Sequence, residues 1–269
     1  MSRGRHFFGK SLKRRANLLT AILLSGLLSA CETIPTTEQT TGGKPTTTSK
    51  VAELQTQLGI GYLRQGKLEL AWNRLQRALD ADPNYSTAHN AMALVQERLK
   101  DPEKAEEHYL RAVTLNPADS AAQNNYGSFL CRNRRYEEGE HRFLQAAKNP
   151  LYEQPEIAYA NAGVCLKRAE QYQKAERYLR TALEINPEIP VALLAMSEVS
   201  LQTKRYLPAR AYLQRYLAVA SHSPQSLWLG VQIERKLGDK NTASSYAMML
   251  KSNYPDSRET QLLLESGEL

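Results

Sequence analysis

Ala71-Trp72-Asn73-Arg74-Leu75-Gln76-Arg77-Ala78 returns 34 residues later as Ala105-Glu106-Glu107-His108-Tyr109-Leu110-Arg111-Ala112, with a small residue first, a bulky one four later and a small one seven later. The leading small residue recurs at Gly139, Ala175, Ala209 and Ala243, at spacings of 34, 34, 36, 34 and 34. Bulky partners follow at Phe143, Leu179 and Leu213, and second small residues at Ala146 and Ala182. Proline tends to stand twelve residues after the leading position, at Pro83, Pro117, Pro187 and Pro255; in the third unit Pro150 comes one residue early, and in the fifth Ser221 takes its place. A fixed period of this length marks a chain of stacked supersecondary units, none able to bury its apolar face alone.

The pattern resembles the tetratricopeptide repeat, a helix–turn–helix. Small residues suit the point where two helices approach most closely, and Gly59, Gly127 and Gly163 supply the matching position on the first helix. Proline ends the second helix, because it lacks an N–H and disfavours helical geometry in the residue before it. Gly66 and Gly238 mark turns within their units. The expected fold is all-α: a right-handed superhelical solenoid of about six tetratricopeptide repeats over 51–257, with units at 52–85, 86–119, 120–155, 156–189, 190–223 and 224–257. The third unit is long by two residues around 149–155, and Gly230-Val231 reverses the usual large–small order in the sixth. A tail at 258–269 is expected to add a short helix over the last apolar face.

Upstream, residues 1–30 carry six Lys or Arg and no acid, then an apolar run from Leu18 to Leu28. As a helix that run spans about 17 Å, too short for a hydrocarbon core of about 30 Å. It reads as a cleaved signal segment. Leu28-Ser29-Ala30-Cys31 resembles a bacterial lipobox, which makes Cys31 the expected lipidated first residue of the mature protein. Glu32 follows it, in place of the Asp that marks inner-membrane retention in many such lipoproteins, so the expected location is the outer membrane, facing the periplasm. Residues 31–50, rich in Thr with almost no large apolar side chain, read as a flexible tether.

The leader also accounts for the charge. The whole chain carries +7, but after residue 30 there are 29 basic and 28 acidic side chains. A phosphate-binding surface needs a clustered cationic excess, so nucleic acid is not an expected partner.

No nucleophile elbow, phosphate loop or dinucleotide fingerprint occurs. His89, His108, His141 and His222 fall in no metal-ligand spacing, and His108 and His141 are expected to be solvated on outward-facing second helices. Neither catalysis, metal, cofactor nor small-molecule substrate is expected, and the chain reads as a monomer that binds proteins. Arg64, Arg98, Arg132, Arg168 and Lys236 share position 13 of their units. This ladder either lines a groove or complements the carbonyls of the first helix's last turn, worth about 0.3–1 kcal/mol each; the second reading is preferred. Asn90, Asn124, Asn125 and Asn161 lack the lysines needed for a carboxylate clamp.

First-helix positions 2, 5, 9 and 12 look into the concave face of such arrays. They hold Ile60, Leu63, Leu94, Ile157, Val164, Val191, Leu194 and Leu201, of which Ile60, Leu63, Leu94, Val164 and Leu194 are the candidate partner-binding residues. Cys131 and Cys165 stand on consecutive first helices, whose axes should lie about 8–10 Å apart. A disulfide between units three and four is expected, the alternative being two buried thiols.

Asn124-Asn125-Tyr126-Gly127-Ser128-Phe129-Leu130-Cys131, Arg135-Tyr136-Glu137-Glu138-Gly139, Ala209-Arg210-Ala211-Tyr212, Ser226-Leu227-Trp228-Leu229-Gly230 and Ala243-Ser244-Ser245-Tyr246 together resemble the PilW/PilF family of type IV pilus lipoproteins. That resemblance implies a pilotin, which helps the secretin reach the outer membrane and multimerise. The alternative is a generic repeat scaffold lipoprotein of another envelope-assembly or cell-wall synthesis machine.

Overall fold

Helix starts follow from local chemistry. Pro102, Pro155, Pro190 and Pro224 occupy first-turn positions, where a missing N–H costs nothing. Asp101, Asp119, Ser223, Asp239 and Ser257 each accept a hydrogen bond from a backbone N–H three residues on. The computed structural model describes residues 47–267. Among them are thirteen helices and no strand: α1 (Thr47–Arg64), α2 (Leu68–Ala81), α3 (Ser86–Arg98), α4 (Pro102–Leu115), α5 (Ser120–Arg132), α6 (Tyr136–Lys148), α7 (Pro155–Arg168), α8 (Tyr172–Ile185), α9 (Pro190–Gln202), α10 (Tyr206–Val219), α11 (Pro224–Leu237), α12 (Lys240–Asn253) and α13 (Arg258–Glu265). Cys31, the leader and most of the tether lie outside the described residues. The tether's last four residues, 47–50, belong instead to α1, since extending a formed helix by a turn is far cheaper than nucleating one.

Odd and even helices pair into hairpins, and each hairpin packs on the next, so the chain is a solenoid of tetratricopeptide repeats. Even helices bury one stripe, as α2 does with Ala71, Leu75, Ala78 and Leu79. Odd helices, flanked by their own partner and both neighbouring units, bury more of their circumference: seven residues of α9 are buried.

The hairpin turn has one geometry in all six units. Position 15 has positive φ throughout, at Gly66, Lys100, Arg134, Glu170, Lys204 and Gly238. Glycine takes that conformation freely; the four other side chains are strained by it.

Close helix approach explains the small residues. A Cβ on Gly163 would stand 2.5 Å from Leu179 Cγ, and one on Gly127 2.9 Å from Phe143. In the sixth unit Gly230 faces Tyr246 instead, while Val231 shares a buried cluster with Ala247. Ala247 occupies the place of Leu75, Phe143 and Leu179. Both helices exchange large for small together, which conserves volume.

Cys131 and Cys165 are joined by a disulfide between α5 and α7, with Cα atoms 5.6 Å apart. Its neighbourhood explains Gly139, the one leading position without alanine: a Cβ there would lie 3.0 Å from the Gly127 carbonyl oxygen and 3.4 Å from Cys165 Sγ. At the end of the array α13 seats Leu263, 1% exposed, on a cluster of Leu227, Val231, Ala247 and Leu250.

Candidate partner-binding face

The first helices of successive units touch one another, and their common face is polar as well as apolar. Asn125 donates to Asn90 at 3.1 Å, and Asn161 donates to Asn124 at 3.0 Å. The asparagines that might have formed a clamp thus bond to each other across unit boundaries. Arg132 pairs with Glu97, and Lys167 with Glu198.

The apolar candidates are less open than their positions suggest. Leu63 is 7% exposed and belongs to the core of units one and two with Leu75, Ala78 and Met92. It is removed from the groove: in the last turn of α1, position 12 is covered by the neighbouring helices. Ile60, Leu94, Val164 and Leu194 are half-buried, each packed with one edge against a core cluster.

Two adjoining openings lie further along the array. A cleft of about 270 Å³ between α7, α9 and α11 is lined by Lys167, Tyr172, Glu198, Leu201 and Trp228, among others. A second, of about 530 Å³, continues from it and shares Leu201, Gln202, Trp228 and Gln232. The two form one trough on the first-helix face of units four to six. Glu198 is neutralised inside it by Lys167 and accepts a hydrogen bond from Gln225. Burial, helped by the Glu170 carboxylate, raises the Tyr172 hydroxyl above its ordinary value, so it is a neutral donor. The far end carries Lys204, Tyr206, Arg235 and Lys236 and, among the described residues, no acid. Arg235 reaches the tail at Ser266 Oγ, 3.3 Å away.

Of these residues, sequence reasoning identified Leu201 and missed Trp228, Tyr172 and Tyr206. Trp228 was legible as position 5 of its unit, the same place as Leu194. The tyrosines are the first residues of α8 and α10, and only the hairpin turn brings them to this face.

His108 corrects the expectation of a solvated side chain. Its Nδ1 lies 2.9 Å from Nδ1 of His89, whose Nε2 lies 3.0 Å from the Pro83 carbonyl oxygen. The carbonyl fixes the proton of His89 on Nε2, which leaves its Nδ1 to accept from His108. His141 is exposed. The position-13 residues Arg64, Arg98, Arg132, Arg168 and Lys236 all lie exposed in the last turn of their helices, and Lys236 also lines the trough.

Tetratricopeptide repeat profiles match residues 56–120, 91–156, 127–187 and 166–227. The type IV pilus assembly protein PilF of Pseudomonas aeruginosa is 34% identical over 205 residues, covering 76% of this chain and 81% of that one. The solved structure of that organism's PilF matches with a TM-score of 0.73 and 32% identity, covering 81% of this chain and 99% of that one. PilW, described as a widely conserved type IV pilus biogenesis factor, matches with a TM-score of 0.75 and 31% identity over 80% of this chain and 99% of its own. With identity sustained over nearly the whole length of both solved relatives, this chain belongs to the PilF/PilW family of tetratricopeptide-repeat proteins of type IV pilus biogenesis.

Proposed function

We propose that this protein is a non-catalytic outer-membrane pilotin: it is anchored by lipid at Cys31 and binds a secretin subunit through the first-helix face of its repeats, promoting secretin localisation and multimerisation. The observation that carries this is the match to PilF and PilW across 99% of each of those chains. Among the described residues no group of three or more His, Cys, Asp or Glu is placed to hold a metal, and none of the helices is long and apolar enough to cross a membrane. What this face offers for recognition is half-buried apolar edges at Ile60, Leu94, Val164 and Leu194, with hydrogen-bonding groups between them.

Physically the arrangement works by proximity. Acyl chains on Cys31 contribute about 0.8 kcal/mol per buried CH₂, enough together for permanent anchorage. The Thr-rich segment gives reach, and a secretin segment held on the repeats has its effective concentration at the membrane raised. Deleting the gene tests this. Secretin multimers should vanish from outer-membrane fractions and return with the wild-type gene, whereas Cys31→Ser should restore a folded protein without outer-membrane placement. Normal multimers and pili in the deletion strain would refute the proposal.

A further inference from the structure

The trough on units four to six has a chemical polarity that the pilotin reading does not specify. Its end between α9 and α11 sets Leu201, Tyr206 and Trp228 as an apolar and aromatic wall, with Trp228 half-buried. Lys204 and Lys236 stand exposed at its rim, and neither has an ion-pair partner among the described residues. Arg132, which shares position 13 with Lys236, is by contrast engaged by Glu97. Among the described residues no carboxylate lines this end, and the acid lining the trough further along, Glu198, is already held by Lys167 and Gln225. A cation at a helix end needs only water. A turn lysine after α9 and a last-turn lysine of α11 that line one recess with an indole give it net positive potential and an apolar wall.

We infer that this recess receives an acidic peptide segment bearing one aromatic or branched aliphatic anchor: the anchor packs on Trp228 and Leu201, and the flanking carboxylates meet Lys204 and Lys236. The match is one of charge complementarity, and the trough's shape suits an extended segment laid across the first helices. The inference rests on the pilotin proposal only in taking the first-helix face as the working face. It adds which end of that face discriminates and by what chemistry.

The test uses full-length protein in detergent and a fluorescein-labelled peptide of four glutamates flanking a central phenylalanine, read by anisotropy. Its controls are a twin with glutamines for glutamates and a twin with serine for phenylalanine. The acidic peptide should bind, weaken as salt rises, and lose about tenfold in affinity to the double variant Lys204→Glu/Lys236→Glu. Both lysines are exposed, so helix content and melting midpoint should stay at wild-type values. Trp228→Ala should weaken binding in the same assay, and each control twin should bind less tightly than the acidic peptide. Equal binding of the glutamine twin, undiminished binding by the double variant, or failure of the acidic peptide to bind would overturn the inference. Secretin multimers in the deletion strain report separately: if they form normally while the peptide results hold, the recess stands and the pilotin proposal falls.

Discussion

The two ends of the array meet the same problem and solve it differently. At the C-terminal end, α13 lays Leu263 over Leu227, Val231, Ala247 and Leu250, and Thr260 is buried with it. At the other end, among the described residues, no unit precedes α1. Its positions 3 and 7, Leu54 and Leu58, are 55% and 40% exposed, although the same positions in unit two, Ala88 and Met92, are 0% and 1% exposed. Register alone therefore does not decide burial in a solenoid; the presence of a neighbour does. The closed end buries its last apolar face under α13, and the open end leaves Leu54 and Leu58 exposed.

The largest expected effect lies between the ends. The disulfide closes a separation of 34 residues, so replacing both cysteines by serine should cost about 3–4 kcal/mol. Urea unfolding should then separate into two steps, with the half that carries the open end melting first. A single transition at the wild-type midpoint would break the comparison.

Next comes a matched pair in one register position. Met92→Ala should destabilise by about 2–4 kcal/mol, because it opens a cavity in a filled core. Leu58→Ala, with little to lose, should fall within about 0.5 kcal/mol of wild type. Leu263→Ala belongs with Met92, since α13 does for unit six what a following unit does elsewhere. Equal losses at Leu58 and Met92, measured by chemical denaturation, would show that something covers α1.

A smaller gain is expected at the turns. Lys100→Gly, Arg134→Gly and Glu170→Gly each relieve a left-handed side-chain conformation and should stabilise by about 0.5–1 kcal/mol, read as a rise in melting midpoint. Gly66→Ala should do the reverse.

The smallest effect is an acid sensitivity in unit two. Burial holds His89 and His108 below the usual histidine value; the Pro83 carbonyl opposes this at His89, Arg111 lowers His89 and His89 lowers His108 further, and Glu107 opposes both. The unfolded chain takes up protons near the ordinary value of about 6.5, where the folded pair does not. Stability is thus complete above that pH, falls as pH drops through it, and levels off below the depressed folded values. His108→Gln should flatten that slope in midpoints followed from about pH 7.5 to about pH 5.

Much of this architecture is legible from the ruler Ala71, Ala105, Gly139, Ala175, Ala209 and Ala243, because close helix approach tolerates few residue types. What escapes it is whatever depends on a neighbour. Gly66 and Gly238 announce their turns, but Lys100, Arg134, Glu170 and Lys204 adopt the same conformation without any compositional signal. Gly139 reads as a harmless departure until Cys165 is seen against it. Leu63 has a groove position and a core environment. The trough depends on the convergence of α7, α9 and α11, and its key residue, Trp228, sits in the unit whose large–small order is reversed.

Photo-crosslinking in cells tests the central claim most directly. A benzophenone amino acid would replace Trp228 or Leu94 on the first-helix face, and Met248 or Leu207 on exposed second-helix surfaces. Crosslinks to the secretin from Trp228 and Leu94, and none from Met248 and Leu207, are the predicted result. Crosslinks to the secretin from the second-helix positions alone, or from none of the four, would contradict it.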